Sequence, residues 1–307
     1  MSPEPPDDPS SRPEDPVDPQ MAALPPHHVS EVILAHPRFP EARRVYVRGI
    51  LGLYENDTFL SRLLVDAGRG VVFFTILCLH AVSDEGDRAT WPSIGSLQKT
   101  VKVFGLSSAR RVHEIVARFV ETGYVASVPS PADRRMRLLA PTDRMLAHDF
   151  AWLAAHYAPL EALFPDPGYG PPLRREPAYQ KAHRALGLSM AGHGAQIMAN
   201  NPAVMLFMGR EAGIMILAKL VERADEAAGG SPITFAEMGN RFGVSRTHVR
   251  KTLQGAEQAG LVRLSGQSVT LLPPILAAFD RFVADGMAGH DLMHRLAMRS
   301  LDGLRAD

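Results

Sequence analysis

Cysteine is almost absent: Cys78 is the only one in 307 residues. No intrachain disulfide can form. Within "TILCLHA" the thiol sits between apolar neighbours, so it reads as a small core hydrophobe, with a redox sensor as the sharper alternative. Net charge is also missing, because 33 basic residues balance 33 acidic ones. That excludes a diffuse cationic surface holding nucleic acid by charge alone, and leaves the work to local clusters. Long apolar runs are missing too. No stretch reaches the roughly 18 residues that a membrane span needs. Residues 1–27 carry nine prolines, six acidic residues and one arginine, with neither the basic start nor the apolar run of a signal peptide. They read as a disordered tail, and the chain is expected to be soluble and cytoplasmic. Without that tail, 32 basic and 27 acidic residues remain, a net of +5.

Catalytic signatures are lacking as well. There is no phosphate-cradling Gly-Lys loop and no G-x-G-x-x-G opening a helix after a strand. "GLSMA" (Gly187 to Ala191) misses the nucleophile elbow, since Ala191 stands where that turn needs glycine. "HDLMH" sets His290 and His294 one helical turn apart, but no third ligand completes a metal site; a solvated helix face is the plainer reading. Neither an enzyme, a cofactor nor a metal is expected.

What is present is a pattern. "RFGVSRTHVRKTLQGAEQAGLV" (Arg241 to Val262) opens on a turn glycine, and Ser245 follows as an N-cap. Val249, Leu253 and Ala256 then recur at helical spacing and face a core. Arg246, Thr247 and Arg250 point away from that stripe, beside His248 and Lys251. Cations near a helix N-terminus oppose its dipole, so they need a reason to be there. Gly260 closes the helix. Upstream, Phe235, Met238 and Phe242 line a short helix capped by Thr234. Short helix, glycine turn and basic helix make a helix-turn-helix pattern. "LVRLSGQSVTLLP" then reads as two short strands about Gly266-Gln267, a wing.

The pattern occurs twice. With Ser108 set against Ser245, Val112 meets Val249, Val116 meets Leu253, Gly123 meets Gly260 and Val125 meets Val262. "NDTFLSRLL" and "NPAVMLFMG" precede the two apolar helices "VVFFTILCLHAV" and "GIMILAKLVERA". The expected fold is therefore mainly α: two tandem winged helix-turn-helix units with short β-wings, in an internally duplicated, pseudo-dimeric architecture. The expected parts are the tail at 1–27, a first unit at 28–164, a linker at 165–180 and a second unit at 181–307. Helices around 41–67, 145–163, 181–200 and 275–300 are expected to pack together and hold both units on one face. A two-fold pair places recognition helices about 34 Å apart, in successive major grooves.

The first unit resembles the MarR family of winged-helix regulators. The helix Ser108 to Glu121, the wing "ETGYVASVPSPADRRMRLLAPTDRML" and the entry Pro141-Thr142-Asp143 carry the likeness, over roughly residues 71–160. In that family an Asp-Arg pair sits at the wing and an arginine there reaches the minor groove. The resemblance puts Asp133, Arg134 and Arg135 in that place. The second unit looks more like the GntR-type helix-turn-helix, although it lies near the C-terminus with no effector domain after it, and its wing tip carries no cation.

Double-stranded DNA is thus the expected partner. Ser108, Arg110, Arg111, His113 and Glu114 are expected near base edges or flanking phosphates, with Arg134, Arg135 and Arg137 at the first wing. Ser245, Arg246, Thr247, His248, Arg250 and Lys251 are the second unit's counterparts. Arginine suits guanine O6 and N7, and narrow A·T minor grooves attract it. Because the two helices differ, the site should not be a palindrome. A sequence-specific transcriptional regulator is the leading reading; a plasmid-type replication initiator and a winged-helix interaction scaffold are the alternatives. A small-molecule effector and a further homodimer stay open. Met190, Met198, Met205, Met208 and Met215 would suit an effector pocket, although core packing is their plainer use.

Overall fold

The computed structural model describes residues 24–105, 108–226, 233–266 and 268–306. Most of the tail reading, residues 1–23, lies outside them. Residues 24–27 lie within them, and Pro25 is buried. The chain is mainly helical, with two small antiparallel sheets. First come α1 (Ser30–Ala35), α2 (Phe39–Tyr54), α3 (Thr58–Leu64), α4 (Ala67–Ala81), α5 (Ile94–Val101) and α6 (Ala109–Glu121), then β1 (Val125–Pro129), β2 (Arg137–Pro141) and α7 (Asp143–Leu163). After them come α8 (Gly170–Leu173), α9 (Pro177–Leu186), α10 (Ala191–Asn200), α11 (Pro202–Met208), α12 (Gly213–Asp225), α13 (Phe235–Phe242) and α14 (Arg246–Gln258). The chain closes with β3 (Val262–Ser265), β4 (Ser268–Leu271) and α15 (Pro273–Ala306). Apart from α10, the second series runs in the order of the first.

Local chemistry sets the key boundaries. Ser93 and Ser96 form a capping box on α5, and Thr234 and Glu237 form one on α13. The Ser108 hydroxyl accepts from Arg111 N, and the Ser245 hydroxyl accepts from His248 N. Each therefore satisfies one orphan donor of the helix it starts. Both α6 and α14 are 13 residues long. Gly243 turns the chain between α13 and α14 at φ 72°, where a side chain would be strained. A Cβ there would also lie 3.0 Å from Thr58 O.

Two groups of buried residues hold α6 and α14 down: Val112, Ile115, Val116 and Phe119, and Val249, Leu253 and Ala256. Both belong to one core that runs through the whole chain. Its helices interlock. α2 packs on α7 and also on α12, while α9 packs on α15 and also on α4. Arg43 of α2 reaches Asp225 at 2.5 Å and Asp280 at 2.7 Å. Glu55, just after α2, accepts from Lys219 and Arg241. Arg184 of α9 forms a fully buried pair with Asp149 of α7. Backbone bonds cross as well, from Asn56 N to Arg241 O and from Ala212 N to Val65 O.

The stretch read as a linker, 165–180, is instead part of this core. Tyr169 and Tyr179 are buried, and Tyr169 donates to Asp291 of α15 at 2.9 Å. Pro171 and Pro172 sit in the first turn of α8 and Pro177 in that of α9, where the missing N–H costs nothing. His290 and His294 are corrected too. They face inward rather than to solvent: His294 Nδ1 lies 2.9 Å from Tyr179 Oη, and His290 packs against Trp152, His156 and Tyr157. No group of three or more potential metal ligands gathers among the described residues. Nor is any single helix among them long and apolar enough to cross a membrane.

Candidate nucleic-acid interface

The buried stripe of α6 fixes the rest of that helix outward. Ser108, Arg110, Arg111, His113 and Glu114 are all exposed. Arg110 is spanned by Glu114 one turn later, at 3.0 Å. Such an exposed pair contributes little to stability, so its effect is to hold the Arg110 guanidinium across the outer face. Arg111 forms no ion pair among the described residues and lines a cleft beside α3.

On α14, Ser245, Arg246, Thr247, Arg250 and Lys251 are exposed. Arg246, Arg250 and Lys251 form no ion pair among the described residues. Three unneutralised cations in the first two turns oppose the helix dipole, at roughly 0.3–1 kcal/mol each. His248 differs from the expectation. Its Nε2 lies 2.8 Å from the Glu211 carbonyl, and the ring is half-buried. It braces α14 against the corner between α11 and α12, so it is not free to read a base. The reason is positional: His248 stands where Arg111 stands in α6, on the flank turned toward α3 and Glu211.

The first hairpin pairs Val125 with Pro141 through Pro129 with Arg137. Its loop is tied at the base: Ser130 N bonds Met136 O, and Asp133 accepts from Arg135 N while facing Arg88 at 3.6 Å. Arg134 and Arg135 are left exposed and without ion pairs among the described residues. Arg137 is exposed, but its guanidinium donates to the Ser127 carbonyl and hydroxyl across the hairpin, so it stiffens the strand pair. The second hairpin, Val262–Ser265 with Ser268–Leu271, is shorter. Gln267 at its tip lies outside the described residues.

The sequence reading missed the ground between the two helices. A cleft of about 520 Å³ lies between α3, the start of α4 and the flank of α6. Arg62, Arg69, Arg111 and Arg118 line it, with Glu114 and Glu211 as the acidic members. Arg62 Nε donates to Gly243 O at 2.6 Å, which ties the cleft to the α13–α14 turn. Arg69 reaches the Arg62 carbonyl and, at 3.4 Å, the Glu211 carboxylate. Thus α6 lines an arginine-rich depression whose edge is tied to the α13–α14 turn. No local signal marked Arg62 or Arg69, since both lie far in sequence from either basic helix and join the face only through packing.

Cys78 is buried, and burial pushes its thiol up to about 11. The thiolate needed for redox chemistry is scarce there. Of the five methionines, Met198, Met208 and Met215 line a half-open pocket together with Cys78.

Compared with known proteins, the chain matches no family model, no curated protein and no solved structure.

Proposed function

We propose that this chain is a sequence-specific double-stranded DNA-binding transcriptional regulator, built from two tandem winged helix-turn-helix units in an internally duplicated, pseudo-dimeric body. One observation carries the reading: α6 and α14 have equal length, each starts at a serine cap, and each exposes cations on its opening turns that no carboxylate of the body neutralises at α14. An interaction scaffold has no use for them. DNA does, because phosphates and guanine edges supply the missing partners.

In this reading Arg110, His113, Thr247 and Arg250 face the bases, since they lie on the exposed side of their helices. Arg111, Lys251, Arg62 and Arg69 meet phosphates, and Arg134 and Arg135 enter or flank a minor groove. The likeness of the first unit to MarR-type regulators and of the second to the GntR-type motif supports the same job, as does the recurring element order. Such a protein works in the cytoplasm, beside the DNA.

The test is a fluorescence-anisotropy titration with the promoter of its own gene and with a scrambled duplex, at several salt concentrations. Tight, sequence-dependent binding with log K falling steeply against log salt is expected. Weak binding to both duplexes overturns the reading. Selection from a random pool should return a site without two-fold symmetry; a clean palindrome would mean that two chains each use one unit.

A further inference from the structure

The arginine cleft beside α6 has more cation than its own acids can match. Both acids in its wall are engaged: Glu114 spans Arg110, and Glu211 faces Arg69. Arg62 and Arg111 line the cleft, are exposed, and form no ion pair among the described residues. Phe59 lines it too, with an exposed ring that has the Arg144 guanidinium 5.5 Å from its centre. An exposed ring among free arginines suits a chain that mixes proline with carboxylate. Proline-rich segments dock on aromatic walls, and carboxylates take charge-assisted bonds from guanidinium groups.

The molecule carries such a segment. Residues 1–23 hold six acids against Arg12 alone. Their prolines recur at every third position in two blocks: Pro3, Pro6 and Pro9, then Pro13, Pro16 and Pro19. Acids keep the same interval beside them, Glu4 with Asp7 and Asp15 with Asp18. A polyproline helix has three residues per turn. In that form each block would present one row of proline rings and, next to it, one row of carboxylates.

Reach decides between the blocks. His28 N donates to Asp291 of α15 at 2.7 Å, and the His28 ring stacks on Phe164. The chain is therefore anchored at Asp291 as it enters the fold. Asp291 stands eighteen residues along α15 from Pro273, where that helix leaves the second hairpin. At 1.5 Å per residue this is about 27 Å. The cleft is tied to the turn that opens α14, and α14 packs on β3, so it lies toward the hairpin end of α15. Only four residues separate Pro19 from Leu24, and they span about 15 Å at most. Fourteen separate Pro9 from Leu24, and they span about 45 Å. The first block has the length to arrive, and the second does not.

We propose that Pro3–Pro9 of this chain docks in the arginine cleft, prolines toward Phe59 and carboxylates toward Arg62 and Arg111, and that it competes there with DNA phosphates. The second clause rests on the regulator reading; the first does not. Tethering makes even weak contacts count, because a linked segment works at a high effective concentration.

The test uses the full chain with nitroxides on Ser10→Cys and Val120→Cys. Val120 is exposed on α6 and outside the cleft lining, and Cys78 is buried and stays unlabelled. Without DNA, double electron–electron resonance should give one narrow distance no longer than α6 and the cleft together, roughly 30 Å. Adding Glu4→Gln, Asp7→Asn and Asp8→Asn should broaden and lengthen it. A broad distribution in the parent, or a narrow one that survives those changes, overturns the docking. A narrow distance that vanishes on dilution with unlabelled chain means that a second copy supplies the segment, which overturns docking within one chain. With promoter DNA at low salt, the three substitutions in the unlabelled chain should lower Kd about fivefold or more. Glu14→Gln with Asp15→Asn and Asp18→Asn removes the same charge from the second block and should lower it less. Equal shifts, or none, overturn the competition. Binding that is not sequence-dependent in any of these chains overturns the regulator reading and leaves the distance measurement to judge the docking alone.

Discussion

The hairpin after α6 turns through seven residues, 130–136, and lifts Arg134 and Arg135 clear of any ion pair among the described residues, whereas the hairpin after α14 turns through two and carries no cation at its tip. The helices differ in the opposite sense. α6 carries Glu114, which bridges Arg110, while the exposed face of α14 holds Arg246, Thr247, Arg250 and Lys251 and no acid over its first two turns. The two series of elements thus distribute their exposed cations differently. Among the described residues, free cations at a hairpin tip belong to the first series, and the denser group of unpaired cations on a helix belongs to the second. In the proposed DNA complex both helices would meet base edges, and the wing would add groove width to the reading at one half only.

The largest expected effect separates the two halves by stability. Asp149→Ala strands Arg184, whose side chain is only 8% exposed, and should cost about 3–5 kcal/mol by denaturant unfolding. Asp280→Ala leaves Arg43 still paired with Asp225 and nearer to water, and should cost less. Equal losses would mean that the two seams are equivalent after all.

Acid probes the seam that both halves share. Burial lowers His148 and His156 to about 4 and holds His183 and His290 well below the ordinary histidine value. Arg184 lowers His183 further, and no hydrogen bond is available to either of its ring nitrogens. The unfolded chain binds the extra protons, so the stability from these groups is whole above pH about 6.5 and fades as pH falls toward 4. Tm should drop across that window. His183→Phe should flatten the drop, and an unchanged slope would remove His183 from the account.

Arg250→Ala should cost roughly 1–3 kcal/mol at one position of the DNA site and relax specificity there. The aligned change in α6, His113→Ala, should cost less, which a selection experiment on both variants checks. Smallest in free energy at any one base is Arg134→Ala with Arg135→Ala. It should lower the salt slope by about one for each phosphate that is no longer neutralised. Arg263→Ala on the second hairpin should leave the slope alone.

Much of this was legible in the chain. Serine caps, glycine turns and apolar spacing are local, and they placed α6, α13, α14 and both hairpins correctly. What escaped notice depends on distant partners. Proline and glycine at 167–172 suggested a linker, because nothing local says that Tyr169 will meet Asp291. His290 and His294 looked solvated because their partners, Trp152, Tyr157 and Tyr179, lie on other helices. His248 looked like one more basic group until Glu211 was placed beside it. Arg62 and Arg69 carried no mark at all.

The crossing of α2 onto α12 has a consequence for synthesis. The chain leaves the ribosome N-terminus first, at about 5–20 residues per second. α2 ends at Tyr54, and α12 begins only at Gly213. Arg43 and the apolar flank beside it therefore wait on the order of ten to thirty seconds for the surface that will cover them. α9, by contrast, emerges to find α4 already made. The nascent first half thus carries an uncovered apolar flank, and slowing translation before α12 should raise its aggregation more than slowing it after.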